Sequence, residues 1–204
     1  MSGGPPPPGR PRDFTLPAAE TFTLANGMGA SLVPWGSIPK AAVSLVIRAG
    51  NLNEAEGETW LADLVGDLLQ EGTARRGAQA VAEAVAGMGG DLRVSTGFDQ
   101  MALSGDVLAE SAPAMVRLLG EVVREPLLPP AELPRLRQDR LRELAVARQQ
   151  PDQLALEAFR RALHGDHPYG RLFPDEAALA GLDIGRATAF FHANLGARRT
   201  RLYV

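Results

Sequence analysis

The segment from Trp60 to Thr73 constrains the fold of this chain more than any other. Its apolar residues recur at the spacing of one helix face, and the segment ends in Gly72-Thr73, a typical helix exit. Asp63 and Asp67 lie at i and i+4, so a helix carries both carboxylates on one side. The sequence therefore predicts an amphipathic helix whose apolar stripe comprises Trp60, Leu61, Leu64, Val65, Leu68 and Leu69.

The two carboxylates allow two interpretations. Oxygen ligands at this spacing suit a hard cation, whereas charge on the exposed face of a surface helix needs no special cause. We favour the second and predict that Asp63 and Asp67 face solvent. Gly66 has no side chain that could act as a base, and glycine costs a helix about 1 kcal/mol relative to alanine, with no evident gain here.

Composition excludes several classes of protein. The chain has 204 residues, a net charge of −3 and no cysteine, so neither a disulfide framework nor thiol chemistry is expected. The chain has no stripe of basic residues that would indicate nucleic-acid binding. The chain also has no apolar run of about 20 residues, the length that a membrane-spanning helix needs. Its Gly- and Pro-rich start lacks the apolar core of a signal peptide.

Hydrophobic periodicity predicts an α+β domain. Asn26-Gly27 marks a hairpin turn between the first two strands. Residues 1–19 are expected to form a disordered leader and residues 20–204 one domain, and the stop within a strand that begins at 200 indicates truncation from a longer chain. The predicted strands are 20–24, 30–33, 42–48, 92–96, 101–107 and one from 200, and the predicted helices are 59–70, 78–88, 111–124, 130–149, 152–163 and 184–194.

Several motifs follow one another in the order of a known family. The landmarks are Asn26-Gly27, Ala49-Gly50-Asn51 with Glu54 and Gly57, the helix ending in Gly72-Thr73, Gly89-Gly90 before a strand, Arg142-Glu143 on a long helix, and His167-Pro168-Tyr169-Gly170. Together they resemble the insulinase/pitrilysin metallopeptidases, the inverzincins, over about residues 20 to 204. Active members carry H-x-x-E-H on the helix that exits in Gly-Thr.

The resemblance implies that the catalytic groups of this motif are lost. Asp63 and Asp67 stand where the family has its two His ligands, and Gly66 stands where it has the catalytic Glu. Glu143 alone matches a family ligand, 76 positions after Asp67. Leu136 replaces a supporting carboxylate. We therefore expect neither catalysis nor bound zinc, the cofactor of active members, and we expect Glu143 to be a surface residue paired with the nearby Arg140.

Other catalytic arrangements have no support in the sequence. Gly-x-Ser-x-Gly and P-loop motifs are absent. His164 and His167 fall in one loop, where such residues more often cap or hydrogen-bond the loop than bind metal. We expect the same here.

The resemblance implies a fold with helices packed on one face of a mostly antiparallel sheet. It also implies that residues 20–204 are truncated from a longer two-domain subunit, of which they form the first half. It also implies a catalytically inactive homologue or partner subunit that helps to form a peptide-binding chamber. The expected partners are a zinc-containing subunit of the same family, or another copy of this chain, and unfolded peptides. Two alternatives stay open: a hard-metal-dependent hydrolase using Asp63, Asp67 and Glu143, and a purely structural subunit like the core proteins of a respiratory complex.

The strand at Leu92–Thr96 is the candidate peptide-binding element. In the family the matching strand lies at a sheet edge beside the zinc helix. Leu92, Val94 and Thr96 would point to one face, and Arg93 and Ser95 to the other. An edge strand can pair with an extended peptide through its backbone. Sequence alone leaves open whether this strand lies at an edge or inside the sheet.

Overall fold

The computed structural model describes Gly9 and residues 13–204. Within these residues the chain forms six strands and seven α-helices. The strands are β1 Glu20–Thr23, β2 Gly29–Leu32, β3 Lys40–Ile47, β4 Arg93–Thr96, β5 Met101–Leu108 and β6 Thr200–Tyr203. The helices are α1 Leu61–Leu68, α2 Ala78–Gly87, α3 Ala112–Arg124, α4 Leu133–Ala147, α5 Pro151–His164, α6 Glu176–Ala180 and α7 Ile184–Asn194.

The strands form one sheet in the order β1-β2-β6-β3-β5-β4. Neighbours are antiparallel except β2 and β6, which run parallel. The predicted α+β architecture with a mostly antiparallel sheet is therefore confirmed. β4 pairs only with β5 and forms one edge of the sheet, while β1 forms the other.

The core lies between the sheet and the helices on one of its faces. Along β3 the side chains alternate, and Val43, Leu45 and Ile47 are buried. α3 packs across β3 and β5, whereas α1 packs against α7, α4 and β4. Six of the eight residues of α1 are buried, so this helix is enclosed on nearly every side.

The predicted hairpin turn at Asn26-Gly27 is confirmed. Gly27 adopts a φ of 87° and donates its N–H to the carbonyl of Leu24, 2.9 Å away. The Asn26 side chain accepts from the N–H of Met28. Glycine adopts this left-handed conformation without the steric cost that a side chain would bring.

The structure adds one helix that the periodicity did not predict. α6 is only five residues long, too short to show a repeating apolar pattern. The Asp175 side chain caps it by accepting from the N–H of Ala178, 3.1 Å away.

Most of the predicted disordered leader, residues 1–19, lies outside the described residues, and the described residues 13–19 carry no helix or strand. The division into leader and domain stays a prediction. None of the helices in the described part combines the length and the hydropathy that crossing a membrane requires.

Candidate functional site beside the edge strand

Helix α1 begins at a residue in an unusual backbone conformation. Trp60, the N-cap, has a φ of 72° in the left-handed region, which costs a non-glycine residue roughly 1–2 kcal/mol. The carboxylate of Glu54 compensates, because it accepts hydrogen bonds from the N–H groups of Trp60 (3.2 Å) and Ala62 (2.8 Å). A carboxylate thus satisfies N–H groups at the positive end of the helix from outside it.

The Trp60 side chain ties the start of α1 to a distant loop. Its indole N–H donates to the carbonyl oxygen of Leu172 over 3.1 Å. Its ring meets Phe173 edge to face, with 6.2 Å between centroids. These contacts hold Trp60 in its strained conformation.

An ion-pair cluster joins α1 to α4. The guanidinium of Arg140 binds both carboxylate oxygens of Asp67 at 2.7 Å. It donates to Glu143 at 2.8 Å and lies 3.8 Å from Asp63. The side chains of Asp63, Asp67 and Arg140 are only 16%, 22% and 19% exposed.

The prediction of a solvated Asp face is therefore wrong, because α4 covers that side of α1 and presents Arg140 to both aspartates. The predicted pairing of Glu143 with Arg140 is confirmed, and the Glu143 side chain is 55% exposed. Glu143, at the position of a family zinc ligand, is thus a surface carboxylate that forms an ion pair with Arg140.

Asn51 connects this cluster to the start of α1. Its side-chain amide donates to Asp63 at 2.6 Å and to Glu54 at 3.0 Å. Burial raises the pKa of Glu54 from 4.5 to about 7, against the lowering effect of its hydrogen bonds. Burial also raises the pKa of Asp63. The pKa of Arg140 is raised although burial opposes its charge, since the hydrogen bonds and charge of Asp67 outweigh that penalty.

Gly66 permits the close approach of α1 to β4. A Cβ atom at this position would lie 2.8 Å from Oγ1 of Thr96 and 3.5 Å from Cγ1 of Val94. The expectation that this glycine brings no gain is thus wrong, because its gain is the packing distance between helix and strand. A glutamate here requires either the Thr96 side chain or β4 to move.

The face alternation predicted for Leu92–Thr96 matches the structure. Leu92, Val94 and Thr96 are half-buried, whereas Arg93 and Ser95 are exposed. The strand itself starts one residue later than predicted, at Arg93. Arg93 pairs with two flanking aspartates, at 2.9 Å in each case, and so places charge on the edge.

The hydrogen-bonding register determines which backbone groups face the open edge. The N–H of Gly97 donates to the carbonyl of Gln100, and the next pair inward is Thr96 with Met101. Hydrogen-bonded pairs alternate with non-hydrogen-bonded pairs in an antiparallel ladder. Thr96 and Val94 therefore direct their N–H and C=O groups away from β5, toward the edge.

A small cleft of about 130 Å³ opens beside the end of β4. Its walls include Trp60, Asp63, Thr96 and Phe98. Thr96 of the candidate edge strand and Asp63 of the ion-pair cluster thus line the same cleft.

His164 is the last residue of α5 instead of lying in the predicted loop, whereas His167 lies in the loop that follows. Nδ1 of His167 accepts from the N–H of Tyr169 at 3.2 Å, as the loop interpretation predicts. His164 packs against the Tyr169 ring, with 5.5 Å between centroids. Across Gly9 and residues 13–204, no three His, Cys, Asp or Glu side chains are placed to hold a metal ion together.

Comparison with known proteins decides the family. The profile described as Insulinase (Peptidase family M16) matches residues 36–173. This chain belongs to the insulinase family. It is 26% identical over 148 residues to an uncharacterized zinc protease of Rickettsia bellii, a match covering 72% of this chain and 36% of that protein. The chain thus spans about a third of the length of the curated relatives it matches.

Solved structures share the fold of this insulinase-family chain. The inactive domain of a peptidase M16 from Pseudomonas fluorescens matches with a TM-score of 0.84 and 23% identity, covering 91% of this chain and 46% of that one. Pitrilysin matches with a TM-score of 0.79 and 23% identity, covering 91% and 20%. The resemblance inferred from the motif order is thereby confirmed.

The contact between Gly66 and Thr96 yields a first prediction. We expect Gly66→Ala to lower the free energy of unfolding by about 1 kcal/mol, since overpacking costs of roughly 1–3 kcal/mol outweigh the gain in helix propensity. In a Thr96→Ala background the same substitution should be neutral or stabilising. A double-mutant cycle in urea measures this coupling, and additive effects would contradict it.

Glu54 yields a second prediction. Its pKa is raised from 4.5 to about 7, so the folded state binds this proton more tightly than the unfolded state. Stability from this group is therefore present at low pH and lost as pH rises from about 4.5 to 7, by roughly 3 kcal/mol. Urea unfolding across this range should show a flatter pH profile for Glu54→Gln, but an unchanged one for the exposed control Glu56→Gln.

Proposed function

We propose that this chain is a catalytically inactive insulinase-family subunit that binds extended peptide segments at β4 and works beside a zinc-containing relative. The observation that carries the proposal is the position of Arg140, whose guanidinium stands between Asp63, Asp67 and Glu143. These are the positions that the family resemblance equates with three zinc ligands.

The chemistry of the site supports inactivity. A catalytic zinc site uses three protein ligands and an open position for water, with a nearby base to take the water proton. Here a guanidinium already pairs with both aspartates, and position 66, where the family has its base, is a buried glycine. The Pseudomonas fluorescens domain described as inactive has the same fold and supports the proposal.

A hard-metal hydrolase using Asp63, Asp67 and Glu143 is the second candidate. It is favoured by the surplus of negative charge, three carboxylates around one guanidinium. A cation would have to displace Arg140 from its two short bonds to Asp67. The packing of Gly66 against Thr96 also leaves no room for a base without movement.

The edge strand supports a peptide-binding role over a purely structural one. The outward N–H and C=O groups of Val94 and Thr96 offer a template for an added strand, as peptide-binding sheet edges do. The adjacent cleft, lined by Trp60 and Phe98, can receive a side chain of that peptide. A core subunit without a peptide ligand needs neither feature.

Replacing residues of the ion-pair cluster with zinc ligands tests whether Asp63, Asp67 and Glu143 occupy the positions of the family's zinc site. We expect Asp63→His/Asp67→His/Arg140→Leu to bind zinc through the two imidazoles and Glu143, because removal of the guanidinium opens the space between them. The wild-type chain should bind none after dialysis and should cleave no unfolded protein. Calorimetry and elemental analysis measure the zinc.

The matched control is Asp63→His/Asp67→His with Arg140 retained. Its zinc affinity should be at least about tenfold weaker, because the cationic guanidinium repels the metal and occupies Glu143. Equal zinc binding by the two variants would show that Arg140 does not block the space in which the metal binds. Stoichiometric zinc in the wild type would overturn the proposed inactivity.

Amide exchange tests the edge strand. An alternating Thr–Val peptide should slow exchange at Val94 and Thr96, since their N–H groups face the open edge, while residues of β3 stay unchanged. The same peptide N-methylated on alternate residues lacks half of its donors and should protect weakly. Protection of Val94 and Thr96 in the free chain, unaltered by peptide, would mean that β4 is already covered.

A further inference from the structure

A groove of about 560 Å³ runs along α3, within the size range of ligand-binding sites. Its charged lining residues are Arg75, Arg76, Arg117, Glu121, Arg124 and Glu125. Four arginines less two glutamates give this lining a net charge of +2, whereas the whole chain carries −3. The groove is therefore a local concentration of positive charge on an acidic chain.

The two glutamates hold two of the arginines in place. Arg76 donates to Glu121 from Nε over 3.0 Å and from Nη2 over 3.1 Å. Arg75 donates to Glu125 in the same bidentate way, over 2.8 and 3.2 Å. A guanidinium has five N–H donors, so each of these arginines keeps three for a further acceptor. The charges of both glutamates are compensated within the lining.

Arg117 and Arg124 carry the positive charge that remains. Both are exposed, and neither forms an ion pair with any residue that the structure describes. They lie at i and i+7 on α3, with Glu121 at i+4, so they share one face of the helix two turns apart. Seven residues of helix rise about 10 Å along the axis. The groove thus has an unpaired guanidinium toward each end.

Gly120 keeps the middle of the groove open. It lies in the interior of α3, where glycine weakens a helix relative to alanine. A Cβ atom at this position would meet no heavy atom within 4 Å beyond its own stretch of helix, in contrast to Gly66. Packing within the chain therefore does not require glycine here. The missing side chain leaves space between Arg117 and Arg124 that a ligand can fill.

We propose that this groove binds a linear motif of another protein, with two anionic side chains three positions apart. Three residues of an extended peptide span about 10 Å, the separation of Arg117 and Arg124 along α3. Guanidinium groups bind carboxylates and phosphates in the same bidentate geometry, and arginine clusters recognise acidic and phosphorylated motifs. Met88 and Ala114 add apolar lining for a residue between the two anions. None of these residues belongs to the site beside β4, so the inference does not rest on the proposed function.

Three fluorescent peptides test the chemistry of the ligand. The first is Gly-Ser-Asp-Gly-Leu-Asp-Ser-Gly, the second has phosphoserine at both Asp positions, and the third has Asn there. We expect at least one anionic peptide to bind, less tightly as salt is added, and the Asn peptide to bind at least about tenfold more weakly. The anionic peptide that binds more tightly shows whether carboxylate or phosphate is the preferred group. Equal affinity for the Asn peptide, or binding of none of the three, would overturn the proposal.

Variants of the chain test whether the groove is the site. Arg117→Gln/Arg124→Gln should weaken binding of the anionic peptide by about tenfold or more. The matched control is Arg161→Gln/Arg198→Gln, which removes two charges from exposed arginines outside the groove and should bind as the wild type does. Equal weakening by both double variants would mean that only the overall charge matters and would contradict the assignment.

Gly120→Leu separates shape from charge. Leucine would fill the middle of the groove and leave every arginine in place, so anionic-peptide binding should fall by about tenfold. Because leucine forms helices better than glycine, the Tm of this variant should not fall below that of the wild type. Circular dichroism measures the Tm and verifies folding. A folded Gly120→Leu chain with wild-type affinity would show that the peptide binds elsewhere.

Discussion

The guanidinium of Arg140 holds together two helices that face each other through acidic side chains. Without it, the carboxylates of Asp63 and Asp67 would be mostly covered and uncompensated, which typically costs 3–5 kcal/mol when one member of a buried pair is removed. Asn51 extends the same network to Glu54 and so to the first turn of α1. Arg140 thus compensates the acidic side of α1, while the buried residues of the helix pack in the apolar core.

The cluster and the Gly66 contact act on adjacent faces of the same helix, because Gly66 lies three positions after Asp63. Arg140 fixes α1 from the side of α4, and the missing side chain at position 66 lets β4 approach from the sheet. Asp63, Gly66 and Asp67 are thus each matched to a neighbour, since the two aspartates pair with Arg140 and the glycine leaves room for Thr96.

Local sequence patterns predicted nearly all elements of the fold, because periodicity and Gly or Pro positions are local signals. The burial of Asp63 and Asp67 was not predictable in this way. A helical wheel of α1 identifies the apolar stripe that packs in the core. It gives no information about α4, which is distant in sequence and covers the side that carries Asp63 and Asp67. The edge position of β4 depends on pairing between strands remote in sequence, and the capping role of Glu54 depends on a loop that folds back.

The parallel pairing of β2 with β6 has a consequence for how the chain assembles. β6 lies between β2 and β3, so the hairpin of β1 and β2 has no place in the sheet until residues 200–203 have been synthesised and docked. Until then two strand edges of β2 and β3 stay unpaired. Contacts between residues far apart in sequence, such as those of β2 with β6, slow folding. The first strands of the chain thus depend on β6, the last strand described, for their place in the sheet.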